Sequence, residues 1–290
     1  MTAKAEAIAH GAATIVNAIA LGKGAAFGVD LWTKAEVQLT DEPNIIKGEI
    51  TSDPTENTAL IEKTVSRVLK HFRADKLYGA KVKTRSNIPI ARGLKSSSVA
   101  ANAVALATTA ALGKTLEDLA LIKLGVDAAF DSKVTVTGAF DDACASYFGG
   151  AVITNNLKKK LLKRVVLTGD LTVLFHVPPE KVYTGNSDVN KMQNAKPLVK
   201  MAYEEALKGN FWSALSLNGI IYSSTLGYDP SVALDALAAG ALAAGLCGKG
   251  PAVTAVVPSS RIDTVKTALQ NHEGEVLQAR LNHEKAQVIR

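Results

Sequence analysis

Residues 89–98 read Pro-Ile-Ala-Arg-Gly-Leu-Lys-Ser-Ser-Ser and run directly into an alanine-rich stretch of helical character. The segment has the parts of a phosphate cradle. Gly93 permits a tight turn, Ser96, Ser97 and Ser98 supply hydroxyls and N-cap oxygens, and a helix opening near Ser96 aims free N–H groups at an anion. Lys95 adds a positive charge at the same spot. Serine ahead of a helix is also an ordinary cap that needs no ligand, so the serines alone leave both readings open. A proline, a glycine, a lysine and three serines in one turn exceed what capping requires.

Upstream of this turn, hydrophobic alternation predicts strands over 11–20, 26–39, 45–50 and 77–84, and apolar residues at helical spacing (Leu60, Ile61, Val65, Val68, Leu69) predict a helix over 56–72. Downstream, helices are expected over 96–112 and 116–130, with Gly113 as the stop between them, then a short helix over 142–148. Strands follow at 150–155, 160–167 and 171–177, and Pro178-Pro179 marks the expected domain boundary. The second half reads as helices over 188–208, 211–224 and 231–245, a strand over 252–257, a helix over 260–271 and a strand over 274–282. Strand and helix runs that do not alternate strictly indicate an α+β fold and argue against a doubly wound parallel sheet.

The 290 residues are 47% hydrophobic, ample for a core. The net charge of +6 is carried by dispersed lysines and arginines with only 5% aromatic residues, which suits small anionic substrates and argues against a nucleic-acid partner. Cys144 and Cys247 have no metal-ligand or disulfide spacing, and a reducing cytoplasm fits them. Glu6, His10 and Asn17 interrupt the apolar N-terminus, which reads as a strand and not as a signal peptide. The small-residue segment 232–246 carries Asp235 and is too short to span a bilayer, so no membrane association is expected.

Two familiar nucleotide motifs fail. Gly113-Lys114-Thr115 lacks the upstream glycine of a P-loop, where Thr108 stands, and Gly22-Lys23-Gly24 is followed by Gly28 one residue too late for a dinucleotide fingerprint. Two further segments carry chemistry. The turn from Gly245 through Cys247, Gly248, Lys249 and Gly250 to Pro251 reads either as a backbone approach to a ligand or as a helix C-cap, in which case Lys249 is an ordinary exposed lysine. Asp141 and Asp142 precede a short helix of small residues and the pair Gly149-Gly150; one acid is expected to cap that helix, leaving the other to take a proton.

Together these pieces resemble the GHMP kinases. The family's second motif, Pro-x-x-x-Gly-Leu-x-Ser-Ser, falls on Pro89, Gly93, Leu94, Ser96 and Ser97, and its third, a Gly-x-Gly-Pro turn, on Gly248, Gly250 and Pro251. Within the family the chain is most similar to the archaeal shikimate kinases, through Gly-Leu-Lys-Ser-Ser-Ser at 93–98, the stretch from Thr14 through Asn17 to Asp30, and Thr137-Gly-Ala-Phe-Asp-Asp-Ala at 137–143. The superfamily usually carries a small residue where Lys95 stands.

That resemblance implies a two-domain α+β fold, with an ATP-binding N-terminal domain over 1–178 and a ferredoxin-like C-terminal domain over 179–290, and phosphorylation of shikimate by ATP with magnesium. It implies ATP and phosphate contacts from Pro89, Ala91, Arg92, Gly93, Leu94, Lys95, Ser96, Ser97, Ser98 and Val99, and metal binding by Ser97, with Asp131 as the acidic ligand. Asp142 takes the role of general base, with Asp141 as its alternative and Lys95 beside the phosphates. Acceptor contacts are expected from Asn17, Lys23, Gly248, Lys249 and Gly250. The chain departs from the family pattern where Val16-Asn17 replaces Glu-His, which argues against galactose or mevalonate, where His10 stands near the place of a common lysine, and where Cys247 replaces a serine. The carboxylate of shikimate calls for a cation, for which Lys23, Arg85, Arg92 and Lys191 are the candidates.

Overall fold

The structure, a computed structural model, describes residues 3–182 and 189–289. Two long strands open the chain, β1 (Lys4–Val16) and β2 (Lys23–Thr40), followed by β3 (Ile46–Ile50), α1 (Ala59–His71) and β4 (Gly79–Ser86). Then come α2 (Ser96–Ala111), α3 (Asp118–Asp131), α4 (Phe140–Phe148), β5 (Ala151–Asn155), β6 (Lys160–Val165) and β7 (Leu171–Val177). The second half holds α5 (Val189–Asn194), α6 (Lys196–Lys208), α7 (Phe211–Leu226), α8 (Ser231–Ala238), β8 (Ala243–Leu246), β9 (Val253–Pro258), α9 (Ile262–Gln270), β10 (Glu275–Arg280) and β11 (Gln287–Val288).

β2 is the spine of the first sheet. Residues 25–38 of it pair with β1, its C-terminal half pairs with β4 and its first five residues with β5, and β3 runs parallel to β4 at the edge. The order β11-β1-β2-β4-β3 is extended by β5 and β6 on β2. The second sheet, β10-β7-β9-β8, is wholly antiparallel. α2 packs on β1 and β2 and against α1, α3 and α4. Its residues are apolar nearly all round, as a helix enclosed on every side requires. α7 touches both β8 and β1, and one continuous core runs from Ala13 and Phe27 of the first sheet to Phe175 and Tyr222 of the second half.

Four expectations differ from the structure for identifiable reasons. β1 begins at Lys4, because Ala5, Ala7 and Ala9 are the buried members of its alternation and alanine gives a weak hydrophobic signal. The helix expected over 188–208 is two helices, with Pro197 in the first turn of the second. The helix expected over 231–245 ends at Ala238, and Ala243–Leu246 pairs with β9 as a fully buried strand. Burial within a sheet there overrides alanine's helical propensity. β7, which precedes Pro178-Pro179, already belongs to the second sheet, while β11 returns to the first, so the sheets exchange over residues 166–170 and again after residue 280.

Candidate active site

A cleft of about 380 Å³ is lined by residues 17–19 after β1, the loop from Ile50 to Asn57, the turn from Ile90 to Ser98, residues 133–137, the acids Asp141 and Asp142, and Gly248 to Gly250. The volume is in the range of small-molecule sites. Among the expected residues, Ala91, Gly93, Leu94, Lys95, Ser96, Ser97, Ser98, Asn17, Gly248, Lys249, Gly250, Asp141 and Asp142 come together here.

The serine turn is built from left-handed residues at alternate positions, Ala91, Gly93 and Lys95, with φ of 58°, 85° and 64°. Alternation of this kind turns successive backbone N–H groups toward one concavity, an anion nest. α2 is preceded by Lys95 with no side-chain capping bond, and among the described residues none of the hydroxyls of Ser96, Ser97 and Ser98 is hydrogen-bonded. The serines therefore do not cap the helix; its N–H groups and their hydroxyls both remain available at the cleft wall. Gly93 is obligatory for a second reason: a Cβ there would sit 2.7 Å from the Cys247 carbonyl oxygen and 2.8 Å from that of Gly250. The serine turn and the glycine turn are thus packed backbone to backbone. The glycine turn leaves β8, not a helix, so it is no C-cap.

Asp141 and Asp142 lie in the first turn of α4, whose N-cap is Ala139 without a side-chain bond, so neither acid caps the helix. Both are buried. Oδ2 of Asp142 lies 3.3 Å from Nζ of Lys95, and its buried Oδ1 has no hydrogen-bond partner among the described residues. Asn156 donates a 2.8 Å hydrogen bond to Asp141 and is itself held by the Thr154 hydroxyl. Burial, reinforced by the charge of Asp142, pushes Asp141 up to about 7. Burial also raises Asp142, against the pull of Lys95. For Lys95 burial acts downward, but the charges of Asp142, Cys247 and Asp141 outweigh it and hold the ammonium above its ordinary value. Two acids thus share one internal cation.

Lys249 also lines the cleft, and among the described residues it has no anionic partner. Burial, together with repulsion from Lys95 and against the attraction of Asp142, pushes it down to about 8.

The Asn17 side chain lies at the cleft wall and is engaged by the protein itself. Nδ2 donates to the Gly248 carbonyl at 2.9 Å, Oδ1 accepts from the Ile19 N–H, and Asn218 of α7 accepts from the Asn17 N–H. It fastens the end of β1 to the glycine turn. Asp131 is turned away: Arg67 grips it with two hydrogen bonds of 2.6 and 2.7 Å outside the cleft. It does not line the cleft, and no cluster of three His, Cys, Asp or Glu suited to a metal occurs among the described residues. Arg92 donates to the Pro178 carbonyl and Lys23 is exposed over the Tyr203 ring, so neither lines the cleft. Pro89 and Val99 shape the turn without lining it, Val99 being wholly buried. Sequence reasoning missed Asn156 and Asn218, which read only as turn and helix residues, and the wall at Lys133 to Thr137, which reads as a turn.

A family model described as the GHMP kinases N terminal domain matches residues 59–150, the part of the chain that contains the serine turn and both acids. A shikimate kinase of Methanosarcina mazei is 45% identical over 288 residues, spanning 99% of this chain and 97% of that protein. The chain belongs to the GHMP kinases. A shikimate kinase of Methanothermobacter thermautotrophicus is 40% identical over 294 residues, with 100% and 99% of the two chains covered. The fold is also that of a homoserine kinase from Cytophaga hutchinsonii, at a TM-score of 0.76 and 19% identity, covering 100% and 98%. As a GHMP kinase the chain is a phosphotransferase that uses ATP. No helix among its described residues is long and apolar enough to cross a membrane.

Proposed function

We propose that this GHMP kinase transfers the γ-phosphoryl group of ATP to the 3-hydroxyl of shikimate, giving shikimate 3-phosphate and ADP. Near-full-length similarity to shikimate kinases carries the choice of acceptor. The Lys95–Asp142 pair at the mouth of the anion nest supports the chemistry.

Phosphoryl transfer asks a protein for positioning and for neutralisation of charge. The N–H groups of the serine turn and of the first turn of α2 hold phosphate oxygens, and Lys95 sets its charge between them and the acceptor. Asp142 is the general base. Lys95 engages Oδ2 and favours the ionised carboxylate against the burial that raises it, while Oδ1, without a hydrogen-bond partner among the described residues, takes the proton from the attacking hydroxyl. Asp141, pushed up by burial and by the charge of Asp142 and bound by Asn156, stands beside the base as its alternative. Asn17 acts on the acceptor side by fixing the glycine turn.

The donor set suits a magnesium ion that arrives on the nucleotide: the Ser97 hydroxyl is free at the cleft wall and no dedicated carboxylate cage exists among the described residues. Magnesium commonly binds with few protein ligands, water and phosphate oxygens completing its shell. Bound there, the ion neutralises charge on the phosphates. The free, buried Cys144 and Cys247 fit work in a reducing cytoplasm.

A coupled assay of ADP release with shikimate, homoserine, mevalonate and galactose tests the assignment. Turnover is expected with shikimate alone, and absence of turnover with shikimate overturns it.

A further inference from the structure

The acceptor proposed above is an anion, and a carboxylate that leaves bulk water for a cleft calls for a cation. The cations that the sequence offers for it are spent or misplaced: Arg92 binds the Pro178 carbonyl, and Lys23, Arg85 and Lys191 are exposed and do not line the cleft. Three lysines do line it. Lys95 is engaged with Asp142, and Lys133 stands beside Val134 at the end where Leu60 and Ala101 pack. Lys249 remains. It rises from the turn whose Gly248 lies directly over the Lys95 ammonium, a Cβ there falling 2.3 Å from Nζ, so it stands at the reacting end, within reach of the charge of Asp142.

A lysine largely withdrawn from water, with no anionic partner at contact distance among the described residues, is costly to keep. In shikimate the carboxylate sits on a ring carbon two bonds from the carbinol carbon, so a hydroxyl presented to Asp142 carries the carboxylate close by. We infer that Lys249 binds the carboxylate of the acceptor and thereby selects anionic acceptors; this rests on reading the acceptor as shikimate. The lowered pKa agrees with such a site, because an arriving carboxylate restores the proton-bound form. Lys95 and Lys249 then divide the work, one holding the base and the other the substrate's far charge.

The experiment compares kcat/KM for shikimate and for its methyl ester, at saturating magnesium ATP, in the wild type and in Lys249→Met. Losing one partner of a buried charged pair costs a factor of about 30 or more. The wild type is therefore expected to prefer shikimate by at least that factor, and Lys249→Met to lose most of the preference. The ratio is internal to each protein, so a partly misfolded preparation does not mimic the result; Lys249→Arg, which keeps the charge, is expected to retain most of it. A wild type that phosphorylates shikimate but ignores esterification overturns the inference, as does a Lys249→Met variant that keeps the full preference. If that variant keeps the preference while its affinity for a non-hydrolysable ATP analogue falls, the lysine holds nucleotide phosphate instead. A wild type that does not phosphorylate shikimate at all defeats the functional reading and not this inference in particular.

Discussion

Lys95 and Lys249 stand on neighbouring turns of one cleft, both withdrawn from water, yet Lys95 is held above its ordinary pKa and Lys249 is pushed down to about 8. Desolvation is the largest influence on each and acts in the same direction. The difference is the company. Lys95 meets Asp142 at 3.3 Å, whereas Lys249 has no anion at contact distance among the described residues. A buried cation supplied with an internal anion belongs to fixed machinery; one without it marks a place kept for a ligand's charge.

The comparison breaks most severely when Lys95 loses its partner. Asp142→Asn is expected to lower kcat by about 10² to 10⁴ while affinity for an ATP analogue stays within a few-fold of wild type. An equal loss from Asp141→Asn would move the base to the neighbouring residue. Gly248→Ala is the subtler disturbance: φ there is 65° and the added Cβ displaces the Lys95 ammonium from Asp142. Losing one charge-assisted contact predicts a fall in kcat of about 10- to 100-fold, measured at saturating substrates. An unchanged kcat would separate the contact from catalysis.

The smallest expected effect concerns the second acid. Asp141 holds its proton up to about pH 7 in the folded state, whereas an unfolded chain releases it near the ordinary carboxylate value of 3.8. Over that window the folded protein binds more protons than the unfolded one, so this group's contribution to stability falls as pH rises and levels off above about 7. Thermal melts between pH 4 and 8 should show a shallower decline in Asp141→Asn, whose amide oxygen still accepts from Asn156. Identical slopes in variant and wild type would place the ionisation elsewhere.

Much of the fold was legible because local pattern controls it. The alternation of β2 and the helical spacing of α1 survive in the structure within a few residues. Legibility failed where alanine is the buried residue, in the first half of β1 and in β8, since a small side chain signals neither period and only pairing decides. At the site, residue chemistry identified Lys95, Ser97 and Asp142 as members but could not choose their partners. Arg92 and Asp131 carry suitable chemistry and are nevertheless diverted, one to a carbonyl and the other to Arg67.

The sequence by itself determined the order of the elements, the glycine and serine turn that needs positive φ, and the pair of acids at the start of a helix. Those are short-range properties, fixed by backbone sterics and by the spacing of apolar side chains. Only the tertiary structure decided that Lys95 meets Asp142, that Asn17 holds Gly248 across 231 residues of chain, and that Lys249 has no anionic partner at contact distance among the described residues. Such partnerships depend on which strands share a sheet and which turns pack together, and burial then makes each pairing, or its absence, costly enough to govern the charge.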